Sequence, residues 1–159
     1  MKRTHFKDNI QKNKSAFNKA VWGLQYWGIM SYTIQQQLLQ AVLDGDIPAA
    51  RKALHNGADI DAQDGFGVNL LTEAVFKEDL NMVNFLLDQG IDREAACLQG
   101  NTPLIWAVYY NKTDIAKAIV KKGGSVNHPD VQGKMPLHFA AGRNNQKLVT
   151  FFLAHGADL

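Results

Sequence analysis

The chain has 159 residues, with 46% hydrophobic residues, 20% charged residues and a net charge of +2. That length suits one domain or a short solenoid, and the composition excludes wholesale disorder. A single cysteine, Cys97, excludes an internal disulfide and a thiolate metal site, and favours a reducing compartment, the cytoplasm.

Residues 1–33 form a leader with a pattern of its own. Within residues 1–20, Lys2, Arg3, Lys7, Lys12, Lys14 and Lys19 stand against Asp8, a local +5 that leaves −3 for the remainder. The body of the chain is therefore mildly acidic, which argues against a nucleic-acid groove running along it. Residues 20–30 are apolar and aromatic, and three roles are open for them. Ala20, Leu24 and Trp27, at helical spacing, suit a helix that caps the start of the body. Trp22, Tyr26 and Trp27 beside lysines suit an interfacial helix, by which residues 17–32 would anchor the chain to a membrane surface. A charged beginning and an apolar middle suit a secretion signal, although Gln25 interrupts the run and no Ala-x-Ala site follows. A membrane span needs ~20 apolar residues, and this run is shorter.

From residue 34 the same chemistry returns every 33 residues, as Leu38, Leu71, Leu104 and Leu137; Ala41, Ala74, Ala107 and Ala140; and Gly57, Gly90, Gly123 and Gly156. Such a period marks stacked copies of one unit. The units run over residues 34–63, 64–96, 97–129 and 130–159. The first is the most degraded, with Leu38-Leu39 and Ala41, then Ala49-Ala50, Ala53-Leu54 and Gly57. The second opens its first helix at Asn69-Leu70-Leu71 and continues through Met82-Val83 and Leu86-Leu87 to Gly90. In the third, Thr102 is an N-cap, Pro103 takes the first helical position, and Leu104, Ala107 and Val108 give one narrow apolar face. A polar break at Asn111–Thr113 precedes Ile115, Ala116, Ile119 and Val120, and Gly123 closes the second helix. The fourth repeats this from Met135-Pro136-Leu137 to Gly156. Asp46, Asp79 and Asn145 suit N-caps of the second helices.

Thr102-Pro103-Leu104, Met135-Pro136-Leu137-His138-Phe139-Ala140-Ala141 and the Gly-Ala-Asp closures resemble the ankyrin-repeat family, over roughly residues 34–159. The resemblance implies an all-α solenoid of stacked helix-turn-helix units joined by β-hairpin-like finger loops at Ile60–Val68, Arg93–Asn101 and Val126–Lys134. Asp64 to Gly67 and Asp130 to Gly133 supply the Asp and Gly that such turns need. Cys97 takes the Asp position of the middle finger, where a less firmly fixed turn is expected. The ring of His138 is expected to bond neighbouring backbone.

The same resemblance implies that a protein partner binds the concave face, made of finger tips and the exposed side of each first helix. The positions so assigned are Phe66, Leu98, Gln99 and Gln132 on the fingers, and Phe76, Lys77, Tyr109, Tyr110 and Arg143 on the helices. Aromatic residues and arginine are the usual anchors of interfaces, so Phe66, Phe76, Tyr109, Tyr110 and Arg143 are expected to line one strip. Local packing of the same rings is the competing reading, and under the strip reading Tyr109→Ala or Tyr110→Ala weakens binding with little loss of stability. Trp106 and Phe139 are expected to pack, and Glu73 to pair with Lys77 four residues on.

No motif calls for catalysis, a cofactor or a metal. Gly123-Gly124 stands without a phosphate-loop context, Cys97 has no neighbouring base, and the five histidines form no HExxH pattern. The leading expectation is a non-enzymatic protein-binding module. Its alternatives are a peripheral membrane adaptor held by the aromatic leader, and the regulatory or targeting fragment of a larger enzyme or secreted effector. The last helix carries Leu148, Phe151 and Phe152 with no polar final repeat after it. That suggests a fragment, or an end closed by another chain through self-association.

Overall fold

The computed structural model describes residues 29–158. The three roles weighed for Ala20, Leu24, Trp27 and their neighbours fall almost wholly on residues 1–28, outside the described residues. Among the described residues eight helices follow one another: α1 (Ile29–Asp44), α2 (Ile47–His55), α3 (Leu70–Lys77), α4 (Leu80–Asp88), α5 (Pro103–Tyr109), α6 (Thr113–Lys121), α7 (Pro136–Gly142) and α8 (Gln146–Ala154). They pair as α1–α2, α3–α4, α5–α6 and α7–α8, one pair to a unit. The first helix of 16 residues begins inside the segment read as leader and runs across residues 33 and 34 without a break. None of the described helices is long and apolar enough to cross a membrane.

The helices start where the sequence supplies a capping oxygen. Asp46, Asp79 and Asn145 accept from the amides of Ala49, Met82 and Leu148, and the Thr102 hydroxyl accepts from Ile105. Each such cap contributes about 1 kcal/mol over alanine. Lys112 holds the matching place before α6 and offers no side-chain cap. There the Asn145 amide of the next unit donates to Asn111 Oδ1 and Thr113 Oγ1, at 2.6 and 2.9 Å.

Each unit turns between its helices through a left-handed residue in the same register: Gly45, Glu78, Asn111 and Asn144, with φ of 72°, 61°, 59° and 53°. The recurrent leucines and alanines then meet in a continuous core. Leu38, Leu71 and Leu104 are at most 1% exposed and Leu137 is 9% exposed, while Ala74, Ala107 and Ala140 are fully buried. Each buried leucine contributes roughly 1.5–3 kcal/mol by leaving water. The alanines let first helices of adjacent units approach closely, which is the contact α1–α3, α3–α5 and α5–α7 make.

The fingers project from this stack, and all three close by the same turn. The amides of Asp64, Cys97 and Asp130 donate to the carbonyls of Val68, Asn101 and Lys134, and those of Gly67, Gly100 and Gly133 donate back. In the outer two, one carboxylate oxygen also accepts two amides: Asp64 from Phe66 and Val68, and Asp130 from Gln132 and Lys134. Cys97 cannot do this, and its thiol contacts Gln99 Oε1 instead. The middle turn nonetheless keeps its backbone bonds. It is held from both sides, since the Leu98 amide donates to Phe66 at 2.9 Å and the Val131 amide donates to Gln99 at 3.1 Å.

Adjacent units are also joined by polar rungs. Asp61, Glu94 and Asn127 each accept from an amide 31 residues on, those of Asp92, Ser125 and Asp158. For the first unit the corresponding amide, at Asp59, is accepted by Gln35 of α1, which returns a bond to the Asp59 carbonyl.

Candidate functional site

An open groove of about 590 Å³ lies between the second and third fingers and the C-terminal ends of α5 and α7. The period explains how it assembles. Positions one repeat apart stack on neighbouring units, so Gln99 faces Gln132, Tyr110 lies in register with Arg143, and Trp106 with Phe139. All six line the groove, with Tyr109, Asn101, Asp130 and Lys134 among the rest.

Its floor is a set of rings in mutual contact. Phe76 meets Trp106 edge-on at 5.4 Å and Tyr110 at 5.8 Å. Trp106 stacks nearly parallel on Tyr110 at 5.9 Å and meets Tyr109 edge-on at the same distance. Tyr109 and Tyr110 touch edge-on at 5.2 Å, and Tyr109 reaches Phe139 at 6.4 Å. Arg143 closes the row with its guanidinium 4.4 Å from the Tyr109 ring centre. Edge-on and stacked pairs of this kind contribute about 0.5–1.5 kcal/mol each beyond burial, so the floor is preformed.

Polar groups mark the walls. The Asp130 carboxylate is committed to the amides of its own finger. Asn101 lines the groove, but its Oδ1 is shut off from solvent and makes no hydrogen bond. The Tyr110 hydroxyl titrates above its usual range, first because burial disfavours the phenolate and then because Tyr109 lies close, with Arg143 acting in the opposite sense.

Of the positions expected from the sequence, the groove gathers Gln99, Tyr109, Tyr110, Gln132 and Arg143. Phe76 adjoins it, half-buried against Trp106 and Tyr110. Phe66 and Leu98 stand away from its lining on the finger tips, 47% and 66% exposed. Lys77, the last residue of α3, is exposed outside it. Trp106, expected to pack, is 5% exposed and does pack, yet its ring also forms the floor. The buried, unpartnered Asn101 Oδ1 has no signal in the sequence. Glu73 is buried at 8% exposure. The His138 ring accepts from the Met135 amide at 3.0 Å, fixing the start of α7 as expected. Among the described residues no three His, Cys, Asp or Glu side chains gather as a metal site would need.

A family model described as ankyrin repeats matches residues 38–130 and 100–159. Neurogenic locus notch homolog protein 2 of Homo sapiens is 32% identical over 111 residues, 69% of this chain and 4% of its own length. A fowlpox virus protein named for its ankyrin repeats is 30% identical over 122 residues, 77% of this chain and 28% of its own. Palmitoyltransferase AKR1 of Lachancea kluyveri is 28% identical over 109 residues, 66% of this chain and 15% of its own. The chain thus spans well under a third of the length of each of these relatives.

Proposed function

Because the chain belongs to the ankyrin-repeat family, whose repeats are generally protein–protein interaction modules, we propose that it holds a protein partner in the groove between its second and third fingers. The observation that carries this is the preformed row of rings ending in Arg143, open to solvent along one side. Rings already packed in place lose little entropy when a partner covers them, and pre-organisation of this kind favours affinity. The fold is typically non-catalytic, and the transferase activity in one relative's name belongs to that protein, of which this chain matches 15%.

The test fills the groove without disturbing the core. Gln99 and Gln132 are exposed at its rim, so Gln99→Trp with Gln132→Trp obstructs it while α5 and α7 stay intact. Lys121→Glu, on α6 away from the groove, is the control. Partners captured by the unmodified chain are expected to be retained by the control and lost by the obstructed variant at equal thermal stability. Undiminished capture by the obstructed variant would rule out the groove as the binding face.

A further inference from the structure

The charge of the repeats is divided sharply along the stack. Residues 29–96 hold eleven acidic and four basic side chains, a net −7, whereas residues 97–159 hold three acidic and seven basic, a net +4. The mild acidity of the whole body therefore belongs to its first half, and the groove lies in the basic half.

The cations of that half differ in what they already do. Lys112 is paired with Glu78 at 2.6 Å, and Lys122 with Asp88. Lys134 and Arg143, the two that line the groove, have no carboxylate partner among the described residues. Arg143 is further held over the Tyr109 ring, which fixes one face of the guanidinium and leaves its N–H fork for an oxygen pair. The carboxylate in the groove, Asp130, accepts two amides through Oδ1 and forms no ion pair with either cation among the described residues. Apolar rings beside two available cations suit a peptide that carries both an apolar side chain and carboxylates.

From these observations we infer that the groove takes an acidic peptide segment of another protein. An aromatic or aliphatic side chain of the segment rests on Trp106 and Tyr110, and its Asp or Glu pairs with Arg143 and Lys134. The inference rests on the groove being the binding face and adds the chemistry of what fills it. The same division of charge orients the segment, with its carboxylates toward the third finger and away from the acidic first half.

The test is to pan a displayed library of random twelve-residue peptides against the full chain, then measure the selected peptides by fluorescence anisotropy at two salt concentrations. Arg143→Glu and Lys134→Glu are made separately, so that a fold defect in one, seen as a lowered Tm, does not decide the matter. Expected are peptides enriched in Asp and Glu beside an aromatic or aliphatic residue. Their binding should weaken with salt, and by roughly tenfold or more in each charge-reversed variant. Peptides without acidic enrichment that still lose binding when Gln99 and Gln132 are replaced by Trp overturn the acidic segment and leave the groove as the binding face. Peptides indifferent to both the obstruction and the charge reversals overturn the groove as well, as does a library that yields no binder. Tighter binding of a single-stranded oligouridylate than of any selected peptide overturns the assignment to protein.

Discussion

At the scale of single residues, the tyrosines line the groove and also pack against its other rings. The sequence leaves local packing and contact surface as competing readings of these rings, with Tyr109→Ala and Tyr110→Ala stability-neutral under the second. Tyr109 does pack on its neighbours, touching Trp106, Tyr110 and Phe139 and carrying Arg143 on its face. Truncating it therefore costs on the order of 1–3 kcal/mol of stability as well as any affinity. Tyr110 offers a cleaner measurement. Its folded pKa lies above the ordinary 10.0, with burial the first cause. The folded state thus holds the phenolic proton more firmly than the unfolded state does. For an acid shifted this way the unfolded chain binds fewer protons, so stability falls as pH rises through the ordinary tyrosine value toward the raised one. Urea unfolding between about pH 9 and 11 is expected to show a decline that is shallower in Tyr110→Phe. Parallel curves for the two proteins would show that the hydroxyl is not perturbed on folding.

At the scale of elements, the fingers depend on close backbone approach. Gly67, Gly100 and Gly133 share the left-handed turn conformation, with φ of 77°, 74° and 76°, but their surroundings differ. A Cβ at Gly100 would lie 2.7 Å from the Val131 amide nitrogen of the next finger, while one at Gly133 would meet nothing within 4 Å. Gly133→Ala therefore isolates the backbone cost, about 1 kcal/mol. Gly100→Ala adds the clash and the bond from Val131 to Gln99, and is expected to cost about 2–3 kcal/mol. Chemical denaturation of the two variants checks the difference, and equal losses would mean that finger stacking adds no stability. The period made both glycines legible as turn residues. It did not reveal the contact, which depends on how far one finger leans on the next.

At the scale of the whole molecule, what the sequence disclosed was whatever repeats as residue identity. The leucines, alanines, closing glycines and capping residues recur as letters, so the helices and their stacking followed directly. Other features recur only as geometry. The left-handed turn passes through Gly45, Glu78, Asn111 and Asn144, and the rungs begin at Asp61, Glu94 and Asn127; each set keeps the register of 33 while its chemistry drifts. The groove was legible in part, because Gln99, Tyr109, Tyr110, Gln132 and Arg143 sit at variable positions of the family pattern. Trp106 as floor and the Asn101 acceptor were not, since burial and unmet hydrogen bonds are set by neighbours rather than by spacing. The rungs carry one more consequence. They and the substantial helix contacts join only a unit to itself or to the unit beside it, so tension applied along the chain meets no strap tying distant parts together. Stretched between its ends in a single-molecule trap, the repeat stack should lengthen in separate steps of roughly 100–120 Å, the extended length of one unit. A single release of the whole stack would mean that neighbours are coupled more tightly than each unit is held to itself. Under load the module behaves as a row of links that give way in turn, and the groove is lost as soon as the fourth unit yields.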